Sequence, residues 1–371
     1  MRDLARNPAI TAILGCFVLM VLAGWSPAKT ITLTGAVVGS DEEPVSGLMV
    51  MALSQRDTTD AMGNFALTGL APGELTLELH GDKGVGRLKV QLADDTHIQV
   101  VYPVMTTVVL LHDNDLHFNF NYREAFAAQV NAFREQYKNV YLLNAGDIFV
   151  RHPDRWALPN DFSYYDRMCN FIVDTMNEVG YDVCTPGNHE LDYIGDYTRD
   201  ALAKARFPLL GANVRMDTEH LTPLEPYIVF ETDNGLSLAI LGLTRGRDDK
   251  PGVTLHDPIE TARDHARLAQ EHDLFIALTH LGLSLDRQLA EATPEIDVII
   301  GGHSNHLLEE GELVNGVLLA MAGGPPARHQ VVEGWPKYLG KIKVTFENDR
   351  IVDKTARVLT FVEAPALEMA P

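Results

Sequence analysis

Residues 108–117 read Val-Val-Leu-Leu-His-Asp-Asn-Asp-Leu-His, an apolar run that ends in polar side chains able to hold a metal. An unbroken apolar run suits a strand covered on both faces, as in a layered α/β sheet. The same change recurs four more times. Val140–Leu143 leads to Asn144-Ala145-Gly146-Asp147, and Tyr181–Cys184 leads to Gly187-Asn188-His189-Glu190. Leu274–Leu278 leads to Thr279-His280, and Val298–Ile300 leads to Gly301-Gly302-His303-Ser304-Asn305-His306. Open α/β sheets bind ligands beyond the carboxyl ends of their strands. Five strands therefore deliver Asp, Asn and His to one edge. Ordinary strand-end caps explain one or two such clusters, not five.

Spacing within the clusters fits metal binding. In Asp115-x-His117, alternate residues of an extended segment point the same way, so an oxygen and a nitrogen can reach one ion. His303-x-Asn305 repeats the device. Glycine before Asp147, Asn188 and His303 permits tight turns at strand ends.

Outward from these clusters, further strands are expected at Leu209–Ala212 and Leu238–Leu241, with a closing hairpin of Leu339–Phe346 and Ile351–Phe361. Asn234-Gly235 marks a hairpin turn after Tyr227–Thr232. Helical periodicity runs over Tyr122–Tyr137, Tyr164–Glu178 and Asp257–His272, the last opened by an Asp257 cap, Pro258 and a capping-box Glu260. Residues 29–105 instead show short alternating runs separated by turns, an all-β pattern. Residues 1–28 carry Arg2 and Arg6, an apolar stretch from Ala9 to Trp25, and Ser26-Pro27-Ala28, the order of an export signal. An uncleaved N-terminal anchor is the alternative. The expected location is periplasmic or secreted.

The formal net charge is −21. Such a surface repels nucleic-acid polymers and anionic membranes. A small phosphate ester needs local positive charge to enter, which bound cations supply.

In this order, D-x-H, GD, GNHE, H and GH-x-[HNQ] resemble the signature of the calcineurin-like metallophosphoesterases. LLHDNDLH, GNHELD, ALTHLG and GGHSN are most similar to the 5'-nucleotidases among them. The resemblance spans Thr106 to Phe361. It implies two divalent ions, from among Zn, Mn, Fe, Co and Ni. Asp115, His117, Asp147 and Asn305 would hold the first ion; Asp147, Asn188, His280 and His303 would hold the second, with Asp147 bridging. Such ions lie roughly 3.5–4 Å apart and polarise attacking and leaving oxygens. His189 is implied as a catalytic residue that stabilises the transition state, with Asp192 able to orient its ring. His306 is an alternative to Asn305. His112 and Asp113 fall outside the D-x-H frame and read as supporting or solvated groups. Glu190 reads as a helix-start carboxylate. TTDAMGNFALTGLAPGELTLEL, residues 58–79, resembles the carboxypeptidase regulatory-like β-sandwich.

The expected architecture is therefore α/β (α+β): a signal at 1–28, an all-β sandwich at 29–105, and a four-layer α/β/β/α domain at 106–371. The expected reaction is hydrolysis of a phosphate ester, most simply a nucleoside monophosphate. One rival is a phosphodiesterase, cyclic nucleotides included, or another ester hydrolase on the same metals; another is a non-catalytic surface binding protein built on the β-sandwich. Departures from the family flank the site. Phe118 stands where glycine is usual, and Ile148–Phe162 and Ala322–Arg328 are unusual. Arg151 and Arg328 are candidate substrate-binding residues together with Asn188, and Arg245 is a third arginine able to meet phosphate. The chain ends about ten residues past its last expected strand, so the base-binding C-terminal domain of 5'-nucleotidases is not expected, nor strong discrimination among bases. Cys169 and Cys184 have two readings, a bridge or two buried thiols.

Overall fold

The computed structural model describes residues 29–118, 120, 122–150, 162–192, 196–216, 223–246, 252–323 and 337–361. Residues 1–28, where an export signal is expected, and the candidates Arg151 and Arg328 lie outside these residues. The chain groups into two compact units, one of described residues up to His80 with Lys89–Tyr102, the other of Gly81–Leu88 with the described residues from Pro103 on.

The N-terminal strands are β1 (Ile31–Val38), β2 (Met49–Ala52), β3 (Gln55–Thr58), β4 (Asn64–Leu70), β5 (Gly73–Gly81), β6 (Gly84–Leu92) and β7 (Thr96–Val101), with Gly84–Leu88 of β6 counted in the second unit. One sheet has the order β4-β1-β7, the other β3-β2-β5-β6. Alternate residues such as Leu33, Val37, Val50, Leu77 and Leu79 are fully buried, as a two-residue period requires. Strand β3, Gln-Arg-Asp-Thr, carries no apolar residue and shows no hydrophobic signal; its backbone pairing with β2 makes it a strand.

The second unit continues with β8 (Met105–Asp113), β9 (Asn139–Asn144), β10 (Val183–Cys184), β11 (Val214–Met216), β12 (Tyr227–Glu231), β13 (Ser237–Thr244), β14 (Val253–Leu255), β15 (Leu274–His280), β16 (Val298–Ile300), β17 (Glu312–Val314), β18 (Val317–Ala320), β19 (Lys337–Glu347) and β20 (Arg350–Phe361). Its two large sheets have the orders β10-β9-β8-β19-β20 and β12-β13-β15-β16-β18-β17. Side-chain alternation sorts them into layers. Val108 and Leu110 face a core shared with Leu238, Ile240, Ile276, Leu278 and Ile300, between the sheets. Val109 and Leu111 face outward, against Phe126, Val130, Ile172 and Val173 of helices Arg123–Gln136 and Phe162–Val179. Ala239, Leu241, Phe275 and Ile299 face the opposite way, against Ala262, Leu283 and Leu289 of helices Pro258–Asp264 and Leu283–Ala292. The result is a helix–sheet–sheet–helix stack.

Local expectations fare unevenly. Asp257 caps its helix, accepting from the N–H groups of Ile259 and Glu260. The helix expected to run to His272 stops at Asp264, and a separate turn spans Leu268–Glu271. Leu209–Ala212 is not a strand. Its backbone bonds are split: Leu210 donates to Cys184, Ala212 to Gly242 of the other sheet, and Leu209 accepts from Glu225. The Asn234-Gly235 turn joins β12 to β13 as expected, with Gly235 at positive φ, while the unexpected Asn315-Gly316 hairpin between β17 and β18 has both central residues at positive φ. Cys169 and Cys184 are buried free thiols. Among the described residues no helix is long and apolar enough to cross a membrane.

Candidate metal centre

Asp115 and His117 follow β8, Asp147 follows β9 and Asn188 follows β10, all in one sheet; His280 ends β15, and His303 and Asn305 follow β16 in the other. Two groups of side chains converge there. One is His117, Asp147 and His189; the other is Asp147, His280 and His303, and within each the donor atoms lie within 4.8 Å of one another. Asp147 belongs to both. Its Oδ2 is 3.3 Å from His280 Nε2 and 3.8 Å from His189 Nε2. Asp115 Oδ1 lies 3.6 Å from His117 Nε2, and Asn188 Oδ1 lies 2.7 Å from His303 Nδ1.

The backbone is bent to achieve this. Asp115, His117, Phe118, Asp147, His303 and Asn305 all adopt positive φ, between 46° and 75°. Non-glycine residues in that region carry strain and persist only where their surroundings impose the conformation. Here the restraints are visible. Asp115 N–H donates to Gly146 O (2.8 Å), His117 N–H to Asp147 O (3.0 Å) and His303 N–H to Asp115 Oδ2 (2.9 Å). The buried Glu190 carboxylate accepts from Asp147 N–H (2.9 Å), Phe149 N–H (2.9 Å) and Gly187 N–H (2.7 Å), tying two loops together. A Cβ on Gly187 would lie 2.1 Å from Asp147 Oδ1, so only glycine fits.

The imidazoles are oriented through Nδ1. His117 and His189 both meet Phe149 O, at 3.1 and 3.0 Å, and His280 meets Ala145 O at 2.6 Å. Nδ1–H on these carbonyls orients the rings, and at His117 and His280 the deprotonated Nε2 is the lone-pair donor a metal needs. Among the described residues, six buried side-chain nitrogen or oxygen atoms lack a hydrogen-bond partner, and four are Asp115 Oδ1, His117 Nε2, His280 Nε2 and Asn305 Oδ1. Unpaired buried polar atoms cost about 1–3 kcal/mol each. Asp115 Oδ1, His117 Nε2 and His280 Nε2 belong to the side chains grouped about Asp147, where bound cations would satisfy them. Burial pushes the Asp147 carboxyl up, yet the His280, His189 and His117 imidazoles outweigh it and hold the group below the ordinary range. Burial likewise opposes protonation of His280, but the Asp147 carboxylate outweighs it and raises the group, so a cation bound at Nε2 displaces a proton.

His306 is exposed and bonds Ser304 Oγ, whereas Asn305 Oδ1 is buried and lacks a hydrogen-bond partner. Asp113 is not solvated: it accepts from Tyr181 Oη (2.5 Å) and Asn144 Nδ2 (2.8 Å) behind the site. His112 is buried as well. The backbone of Asp192 lies in the short helix Asn188–Asp192, and its side chain is outside the described residues. Phe149 O and Glu190 are the contributors sequence reasoning missed. A backbone carbonyl leaves no sequence signal, and the role of Glu190 depends on N–H groups about forty positions away.

A two-sheet sandwich with histidines and carboxylates converging from both sheets defines a metallohydrolase-type scaffold. Residues 108–306 match the calcineurin-like phosphoesterase family, and the chain belongs to it. It is 31% identical over 267 residues to the uncharacterized metallophosphoesterase YunD of Bacillus subtilis, covering 68% of this chain and 54% of that protein. It is 28% identical over 288 residues to a 5'-nucleotidase of Vibrio cholerae, covering 66% and 50%. The solved 5'-nucleotidase precursor of Thermus thermophilus superposes with a TM-score of 0.55 at 26% identity, covering 68% and 54%. The chain thus spans about half the length of these relatives.

Proposed function

We propose that this protein hydrolyses phosphate monoesters, with a nucleoside monophosphate as the first substrate class to test, and that it uses two divalent ions. One observation carries the reading: two donor groups share the single carboxylate of Asp147, and the orphaned Nε2 atoms of His117 and His280, one from each sheet, lie beside it. Asp115, His117, Asp147 and Asn305 would hold one ion, and Asp147, Asn188, His280 and His303 the other. When bound, the ions supply Lewis-acid polarisation of the phosphoryl oxygens and activation of the attacking water. The protein's own part is to fix geometry. Phe149 O holds the rings of His117 and His189, and Glu190 locks the loops that carry Asp147 and Asn188. We read His189, whose Nε2 is farther from Asp147 than that of His280, as the group that donates to the phosphoryl group in the transition state, in its doubly protonated form with Nδ1–H on Phe149 O and Nε2–H free. Asp192 is kept as the residue that would steady it.

The N-terminal strands suit the carboxypeptidase regulatory-like module and are given no catalytic part; residues 1–28 are read as an export signal. The test is a screen of purified protein against mono- and diesters, with and without chelator, plus metal analysis. Metal-dependent release of phosphate from a monoester supports the reading. Turnover of diesters alone would transfer it to the phosphodiesterase alternative, and no turnover of either ester would defeat it.

A further inference from the structure

Of the arginines able to meet a substrate, Arg245 is the one the structure describes. Strands β13 and β15 run parallel with Thr244 opposite His280, so Arg245 is the first residue past the sheet edge that carries the metal-binding side chains. Both neighbours of the site hold it there. Thr244 Oγ1 donates to Pro186 O at 2.5 Å, two residues before Asn188. Arg245 Nη1 reaches Leu281 O at 3.4 Å, the carbonyl directly after His280. The next residue, Gly282, packs so near His303 that a Cβ there would lie 3.3 Å from the ring Cδ2. The guanidinium therefore stands at the loop joining His280 to the helix beside His303.

Its partners set it apart from other arginines of this unit. Arg287 pairs with Glu312, Arg134 with Asp182 and Arg87 with Asp273. Arg245 is exposed and, among the described residues, has a carbonyl contact and no carboxylate. A cation with spare N–H donors at the rim of an acidic protein's candidate metal centre suits the planar, bidentate geometry by which guanidinium binds phosphate.

We propose that Arg245 holds the substrate's phosphate, its outward N–H groups meeting the non-bridging oxygens of a dianionic monoester. This rests on the phosphoesterase reading above and adds the residue that favours monoesters over singly charged diesters. The test compares metal-loaded parent, Arg245→Ala and Arg245→Lys for hydrolysis of an aryl phosphomonoester and an aryl phosphodiester, and for calorimetric binding of inorganic phosphate. The alanine variant should raise KM for the monoester, and weaken phosphate binding, by about tenfold or more. The diester should change less, bound metal should stay constant, and lysine should recover part of the loss. Unchanged KM and phosphate binding, equal losses for both esters, or loss of metal would overturn the assignment. Phosphate binding needs no turnover, so it decides the role of Arg245 even if the parent cleaves neither ester, a result that would sink the hydrolase reading instead.

Discussion

Glu190 Oε2 accepts the backbone N–H of Asp147 at 2.9 Å, binding the GNHE segment to the carboxylate shared by both donor groups. The other oxygen takes Phe149 N–H, and Gly187 N–H shares the first. Glu190→Gln puts an NH2 group where one oxygen accepts, so at least one buried N–H loses its partner at a cost of about 1–3 kcal/mol. We expect a melting temperature lower by several degrees and kcat at least tenfold lower. A variant of unchanged activity and stability would show that the three bonds are dispensable.

Asp147→Asn removes the one anionic group common to both triads. Turnover should vanish and bound metal should fall, read by elemental analysis beside the kinetics. Near-normal activity is the result incompatible with a shared carboxylate. His189→Ala should behave differently: kcat falls by about a hundredfold or more while the metal stays. Metal loss in that variant would make His189 a ligand.

Phe118 sits at φ 62° with a buried ring against Phe149 and Tyr165. Truncation to alanine should cost about 3–5 kcal/mol through the lost ring. Glycine loses the same ring but relieves the left-handed backbone, worth about 1 kcal/mol. Phe118→Gly should therefore be at least as stable as Phe118→Ala, the reverse of the usual order, as chemical denaturation can measure. A glycine variant clearly less stable than the alanine one would refute the strain.

His112 is a buried strand residue beside Gly340, whose added Cβ would lie 2.1 Å from Nε2. Burial pushes its imidazole down to about 3 from an ordinary 6.5. The folded protein keeps this ring neutral while the unfolded chain takes up a proton below pH 6.5. Its contribution is complete above pH 6.5 and is lost as pH falls towards 3, at up to about 1.4 kcal/mol per pH unit. His112→Leu should lose less stability than the parent between pH 7 and pH 4. Parallel stability–pH curves in chelator would exclude this role.

The site edge was legible because apolar strand runs and polar ends are adjacent in sequence: Val108–Leu111 before Asp115, Leu274–Leu278 before His280. The layers were legible because Val108 and Val109 must face opposite sides. What stayed hidden depends on distant backbone. Leu209–Ala212 is as apolar as a strand, yet its N–H and C=O groups are shared among three segments. Glu190 looked like a helix cap because its acceptors' partners lie on another loop. Phe118 gave no sign of positive φ, since its ring suggests only burial.

The candidate ligands come from opposite halves of the stack: Asp115, Asp147 and Asn188 from the β8 sheet, His280, His303 and Asn305 from the β15 sheet. An ion held by both is a rivet through the seam between them. Stripping it should loosen the molecule along that seam before the outer helices are disturbed, with amide exchange quickening first at the ends of β9, β15 and β16. Metal supply would then govern how long the folded protein survives proteolysis as well as how fast it turns over.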